Sequence, residues 1–77
     1  MSTVEIFDGI KIEMYGNDHN PPHVHIKYAE YKCILEIQTG NIYAGNLPLR
    51  QMKKAISYVV NHQELLLTLW NQLNRHW

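Results

Sequence analysis

Apolar and polar residues alternate in the first half of the chain in the way that half-buried β-strands do. Ile10, Ile12 and Met14 alternate with charged or polar neighbours, and after a turn-rich segment Val24 and Ile26 do the same. Side chains two apart on a strand point to the same face of a sheet, so each set predicts one buried face. The pattern also predicts a third strand, in which Tyr31, Cys33, Leu35 and Ile37 share one face. A short fourth strand is predicted at 42–44.

The segments between these strands are rich in turn residues. Residues 16–22 combine glycine, asparagine and aspartate with two prolines, which cannot donate to a β-ladder. Tight turns are expected near 29–30 and again at 39–41. Short turns favour antiparallel pairing of the strands that they join.

The apolar period changes to a helical repeat at Pro48. Proline suits the first helical position, because its missing N–H has no partner there, and an apolar stripe follows it. Asn61 and Glu64 have the spacing of a capping box, which predicts a break between two helices, at roughly 48–60 and 62–76. A single kinked helix is the alternative, because the apolar spacing also runs through the break.

These elements predict an α+β fold in one domain over residues 1–77. We expect an antiparallel sheet of three to four strands followed by two C-terminal helices packed on one face (ββββαα). The second helix carries a wide apolar arc that includes Trp70 and Trp77, which is more than a small sheet needs to cover. An exposed remainder would contact another protein, whereas the alternative is that both helices bury nearly all of it.

Composition narrows the classes of function. Seven Lys plus Arg balance seven Asp plus Glu, which argues against a protein dominated by long-range attraction to nucleic acid or acidic membranes. The single cysteine, Cys33, excludes an intrachain disulfide, and no secretory signal or membrane-spanning stretch is visible. We therefore expect a cytoplasmic protein that does not bind membranes. No cofactor is expected either, because the chain contains no glycine-rich phosphate loop and no zinc-finger spacing.

The sheet face away from the helices is where chemistry is expected. Alternation places His23, His25 and Lys27 on that face. An antiparallel pair across the proline turn sets Tyr15 opposite His23 and Glu13 opposite His25, and a two-residue turn at 29–30 sets Ile34 beside His25 and Glu36 beside His23. Each histidine would then have a carboxylate near it, because cross-strand neighbours lie about 5 Å apart at Cβ.

Three interpretations of this face compete. In the first, His23, His25 and Lys27 act with Glu13 as general base, general acid and charge stabiliser on a phosphodiester of RNA. In the second, His23 and His25 are a metal pair, and the shell is completed by one of Asp18, His19, Glu13 or Glu36. In the third, the histidines are structural or partner-contacting groups that orient the turn by hydrogen bonds.

Further residues are weaker candidates for binding. His19 and Asp18 lie in the turn beside the histidine pair, where a loop can bring them to a site. Arg50 and Lys54 form a basic corner on the first helix together with Lys53, which either is solvated or holds a phosphate backbone.

One segment of the chain resembles a known family. Residues 15–25, with the sequence YGNDHNPPHVH, contain two prolines and three histidines in a short window. They resemble the signature of a family of small bacterial proteins catalogued as domain of unknown function four-one-six-zero. The resemblance extends over nearly the whole chain, through Tyr28, the Leu47-Pro48 helix start and the segment from His62-Gln63-Glu64-Leu65 to Trp70.

The resemblance implies a genomic setting more than a chemistry. Members of that family are typically encoded beside another small protein, as in toxin–antitoxin pairs. The leading hypothesis is therefore a toxin–antitoxin component that binds a small cognate protein, with a histidine-bearing face that interacts with RNA or cleaves it. The alternative is a non-enzymatic interaction module, self-associating or partner-binding through the aromatic C-terminal helix, in which the histidines brace the turn.

Overall fold

The computed structural model describes residues 2–74 and shows an α+β fold. Five antiparallel strands lie in chain order across one sheet, and two helices follow them. The strands are β1 (Ser2–Phe7), β2 (Ile10–Met14), β3 (His23–Tyr28), β4 (Tyr31–Glu36) and β5 (Ile42–Asn46), and the helices are α1 (Leu49–Asn61) and α2 (Gln63–Leu73). The fold class predicted from the sequence is confirmed, but the sheet has one strand more than the three to four expected, because β1 was not anticipated.

Two-residue turns join the first and third strand pairs. Asp8 and Gly9 both have positive φ values, 51° and 75°, and connect the paired residues at the ends of β1 and β2. This is the backbone of a hairpin turn whose twist matches that of the strands. Ala29 has a φ of 51° in the turn between β3 and β4, where Tyr28 pairs with Tyr31. The two-residue turn predicted at 29–30 is therefore confirmed.

The predicted register is also largely confirmed. Glu13 pairs with His25, and across the next ladder His23 pairs with Glu36 and His25 with Ile34. The ladder between β2 and β3 ends at the Glu13–His25 pair, so the expected pairing of Tyr15 with His23 is wrong. The chain leaves the sheet there and begins the proline-containing turn.

One face of the sheet and both helices form the hydrophobic core. Alternate residues of β2, β3 and β4 point to this inner face and are buried against apolar side chains of α1 and α2. The core consists of Ile10, Ile12, Met14, Val24, Ile26, Cys33, Leu35, Ile37, Leu47, Met52, Ala55, Val59, Leu66 and Trp70. Within residues 2–74, neither helix has the length and apolarity that crossing a membrane requires.

The C-terminal region forms two helices, as predicted, but the break between them has another cause. Asn61 is the last residue of α1, where its side-chain amide donates to Ser57 Oγ at 3.3 Å, and α2 begins without a side-chain cap. The proposed capping box is therefore wrong. His62 separates the helices in a non-helical backbone conformation, with a φ of −130° and a ψ of 27°. Trp70 is buried, whereas Trp77 lies outside the described residues.

Candidate functional site

The outer face of the sheet, opposite the helices, carries a row of three lysines. Lys11 on β2 lies opposite Lys27 on β3, which lies opposite Lys32 on β4. We call these three residues the lysine row. Like charges directly opposite one another on a sheet repel, so the row requires compensation.

Glu13 supplies that compensation from a fully buried position. Its Oε1 accepts a hydrogen bond from the Tyr15 hydroxyl at 3.0 Å and forms an ion pair with Lys27 Nζ at 3.1 Å. Its Oε2 lies 3.2 Å from Lys11 Nζ without hydrogen-bond geometry, so charge alone pairs these two atoms. One carboxylate thus holds two of the three lysines in place.

These contacts set the protonation of Glu13 and Lys27. Burial raises the pKa of Glu13, but the contacts with Lys27, Tyr15 and Lys11 outweigh burial and leave the pKa below its usual value. The close contact with the Glu13 carboxylate in turn raises the pKa of Lys27. Glu13 is therefore a fixed anion that orients lysines, and it has little capacity to accept a proton near neutral pH.

Asp18, His23 and His25 form a second group at the other end of the outer face, which we call the histidine cluster. Asp18 Oδ2 lies 2.9 Å from His23 Nε2 and 3.3 Å from His25 Nε2. Burial raises the pKa of Asp18, but hydrogen bonds from His25 and from the backbone of His19, together with the charge of His23, outweigh it, so the net shift is downward. Both imidazoles therefore converge on one ionised oxygen.

The two histidines differ in access. His23 is 3% exposed, and its Nδ1 donates to the carbonyl oxygen of Pro21 at 2.7 Å, so both ring nitrogens are engaged. The side chain of His25 retains about a quarter of its exposure (24%), and its ring packs on Tyr15 with centroids 4.3 Å apart. Alternation places both residues on the outer face, but only His25 can readily touch a bound molecule.

The end of α2 holds the loop that carries Asp18. The Asp18 backbone N–H donates to Asn74 Oδ1 at 2.6 Å, and Asn74 Nδ2 donates to the carbonyl oxygens of Tyr15 and Trp70, both at 3.2 Å. The ring of Trp70 lies 5.1 Å from that of His23. The loop also contains a cis peptide bond between Asn20 and Pro21. Residues far apart in sequence thus fix the carboxylate over the imidazoles.

A pocket of about 310 Å³ opens beside His25 on the outer face. Tyr15 and two residues of the lysine row, Lys27 and Lys32, contribute to its lining. We call it the outer pocket; it is also lined by His25, Ile26, Cys33, Ile34, Ala44 and Gly45. The two small residues on β5 leave room above the sheet. A side chain at Gly45, whose φ is 74°, would collide with the carbonyl oxygen of Lys32.

The remaining candidate residues lie outside this arrangement or at its edge. His19 is 78% exposed, with Nδ1 3.4 Å from Asp18 Oδ1. Glu36 pairs with His23 across the ladder, but its carboxylate accepts from the Thr39 hydroxyl at 3.4 Å. On α1, Arg50 is exposed, and Lys54 forms an ion pair with Asp8 at 3.0 Å.

The structure therefore brings together six of the residues that the sequence singled out: Glu13, Tyr15, Asp18, His23, His25 and Lys27. It adds others that the sequence analysis missed. Lys11 and Lys32 follow from the same alternation and register that placed Lys27, so the signal for them was present. Asn74 and the carbonyl of Pro21 carried no signal, because their roles depend on tertiary packing.

Comparison with known proteins identifies the chain at the level of family alone. No curated protein and no solved structure matches it. The model of one family, described as domain of unknown function (DUF4160), matches residues 9–71. This match covers β2 to β5, α1 and most of α2, and so includes every residue of the histidine cluster and the lysine row. The chain belongs to the DUF4160 family.

Proposed function

We propose that the outer pocket binds the phosphodiester backbone of RNA and that the protein is the RNA-directed component of a toxin–antitoxin pair in the cytoplasm. The observation that carries this proposal is the lysine row beside an accessible histidine. Three ammonium groups in register, two of them at a pocket that also holds an imidazole, are suited to phosphate oxygens. Stacking of a base on a partly exposed aromatic ring, such as that of Tyr15, would add to the binding.

The local charge favours an anion although the whole chain is neutral. Glu13 offsets only part of the charge of the lysine row, and Lys32 has no carboxylate partner among residues 2–74. Two other acidic groups of the outer face, Asp18 and Glu36, lie toward its other end, near His23. A phosphate is therefore attracted to the lysine side of the pocket.

Different residues of the site would have different roles toward a bound phosphodiester. His25 is the cluster member that reaches the pocket, and Asp18 and His23 orient it from behind. Lys27, held by Glu13, would stabilise the negative charge that develops on the phosphorus oxygens. We therefore propose His25 and Lys27 as the residues that contact the substrate, and Glu13, Asp18 and His23 as positioning residues.

Binding is tested by the fluorescence anisotropy of a labelled single-stranded RNA in the presence of a chelator. Lys32→Ala should weaken binding roughly 3- to 10-fold and lower the slope of log affinity against log salt by about 1. Lys53→Ala, which removes an exposed lysine from α1, is the matched control and should change little. Equal effects of the two substitutions would place RNA binding elsewhere or show it to be non-specific.

The biological role is tested by induced expression with and without the neighbouring gene. We expect arrested growth and degraded RNA with the protein alone, and rescue by the neighbour. His25→Ala should abolish both effects while the far-UV circular dichroism spectrum stays unchanged. Unaffected growth in every case would remove the toxin hypothesis.

A second candidate function, binding of a cognate small protein, is favoured by the open edge of the sheet. All of β5 is exposed, and Ile42 and Tyr43 retain 51% and 52% of their exposure. An edge strand presents unpaired backbone groups to which a partner can add a strand. The sequence predicts that such an interface uses the aromatic C-terminal helix, but Trp70 on that helix is buried.

This interaction is tested by co-purification with the protein encoded next to it. Ile42→Asp should disrupt the complex, whereas Leu49→Asp, on a residue of α1 that is 71% exposed, is the matched control. A complex that survives Ile42→Asp would exclude the β5 edge. A homodimer that dissociates with the same substitution would identify a second copy of the chain as the occupant.

A further inference from the structure

We infer that the histidine cluster is a binding site for one divalent first-row transition-metal ion, such as Zn²⁺. Asp18, His23 and His25 each direct one ligand atom, an oxygen and two nitrogens, toward a common point. These atoms all lie within 4.8 Å of one another. Two imidazoles and a carboxylate are a donor set that zinc and iron sites use, whereas magnesium and calcium prefer oxygen ligands.

The hydrogen bonding of His23 supplies an independent argument. The carbonyl oxygen of Pro21 can only accept, so His23 Nδ1 must carry the proton of the 2.7 Å hydrogen bond. In a neutral imidazole Nε2 then has a lone pair, and that lone pair faces a carboxylate oxygen 2.9 Å away. Two acceptors at this distance repel unless a proton or a cation lies between them.

The surroundings of His23 favour a metal cation over a proton between His23 Nε2 and the Asp18 carboxylate. A metal-bound histidine commonly donates its other ring N–H to a backbone carbonyl, which fixes the tautomer and the ring orientation. His23 has this arrangement and is almost fully buried, between Trp70 and His25. A proton on Nε2 would join His23 to Asp18 alone, whereas one metal ion would join His23, His25 and Asp18 together.

The carboxylate oxygen of Asp18 already lies at separations from the two imidazole nitrogens that suit such an ion. Donor atoms bound tetrahedrally at about 2.0–2.1 Å from zinc lie about 3.3 Å apart. The distances from Asp18 Oδ2 to the two imidazole nitrogens are 2.9 Å and 3.3 Å. The shift that Asp18 requires is a few tenths of an ångström, and the two imidazole nitrogens, which lie no more than 4.8 Å apart, would approach each other by rotation of the side chains.

Three protein ligands leave at least one coordination position open. His25 belongs both to the cluster and to the lining of the outer pocket, so the open position is close to that pocket. A metal-bound water there would be acidified, and a phosphate oxygen could displace it. This part of the inference rests on the proposed function, whereas binding of the ion itself does not.

The experiment is calorimetric titration of Zn²⁺ into untagged, chelator-stripped protein without RNA, with the visible spectrum of the Co²⁺ form as a second readout. We expect one ion per chain with a Kd below about 10 µM. Asp18→Asn and His25→Gln should each weaken binding more than about 100-fold, because loss of a ligand exceeds the effect of losing an outer contact. His19→Ala is the matched control from the same loop and should bind as the wild type does.

Two results would overturn the inference: no binding by the wild-type protein, or unchanged binding in folded His25→Gln. His25 is partly exposed, so this variant should retain the wild-type circular dichroism spectrum, and the spectrum is recorded for each variant. Metal binding is measured without RNA, and RNA binding is measured with a chelator. A failure of one proposal is therefore distinguishable from a failure of the other.

Discussion

The two faces of the same sheet are built on opposite principles. The inner face is continuous apolar surface, in which Ile12, Ile26 and Leu35 are fully buried beneath the helices. The outer face also contains buried groups, but they are ionic or imidazole side chains, Glu13 and His23. Burial of charge is costly unless partners replace the water, and here lysines, a tyrosine and an aspartate do so. The inner face therefore supplies the stability that allows the outer face to hold a polar site.

The largest effect should come from shortening a core side chain. Leu35→Ala should lower the free energy of unfolding by about 2–5 kcal/mol, because it removes buried contacts and leaves a cavity. Ile34→Ala, the next residue on the same strand, lies on the outer face and is only partly buried, so it should cost clearly less. Urea denaturation of both variants measures the difference. Equal losses in the free energy of unfolding would contradict the view that the inner face supplies most of the stability.

An intermediate effect is expected from Glu13→Gln. This substitution leaves Lys11 and Lys27 without their shared anion and should destabilise the protein by about 1–3 kcal/mol at neutral pH. The pKa of Glu13 is lowered on folding, so its stabilisation is fully present above the usual value of 4.5 and is lost as pH falls through the lowered value.

The pH dependence separates this charge from other causes of acid unfolding. As pH falls below 4.5, the stabilities of the wild type and of Glu13→Gln should converge, because protonation removes the same charge from the wild type. Thermal denaturation across this range measures the convergence. A constant difference between the two proteins would show that Glu13 acts by packing and not by charge.

The smallest effect concerns the reactivity of the buried cysteine. Cys33 lies on the inner face, where burial raises the pKa of its thiol to about 11. The thiolate is the reactive form, so iodoacetamide should modify the native protein slowly at neutral pH and faster as the pH approaches that value. Urea-unfolded protein is the control and should react rapidly. Rapid reaction of the native protein would show that the inner face opens readily.

Local rules predicted much of the sheet. Alternation and a two-residue turn placed Glu13 opposite His25 and Glu36 opposite His23, and the structure confirms both pairs. The missed strand β1 was signalled by Asp8-Gly9, which is a strong hairpin dipeptide. An irregularity between Thr3 and Glu5 interrupts the alternation of β1, which weakens that signal.

The site depends on contacts between residues far apart in sequence, which local sequence patterns do not predict. Asp18 lies over the histidines because Asn74, 56 residues away in sequence, accepts from its backbone. His23 is buried because Trp70 and the proline turn close around it, although alternation assigns it to the outer face. The sequence therefore indicated which residue types to consider, and tertiary packing decided which of them are accessible.

The most direct test of an RNA site on the outer face is the ¹H–¹³C spectrum of the histidine rings during titration with single-stranded RNA in the presence of a chelator. We expect the signals of His25 to shift progressively as RNA fills the outer pocket. Those of His62, which packs on Tyr58 between the helices, should stay in place. Shifts at His62 with an unchanged His25 would contradict the account, and so would a spectrum in which no histidine moves.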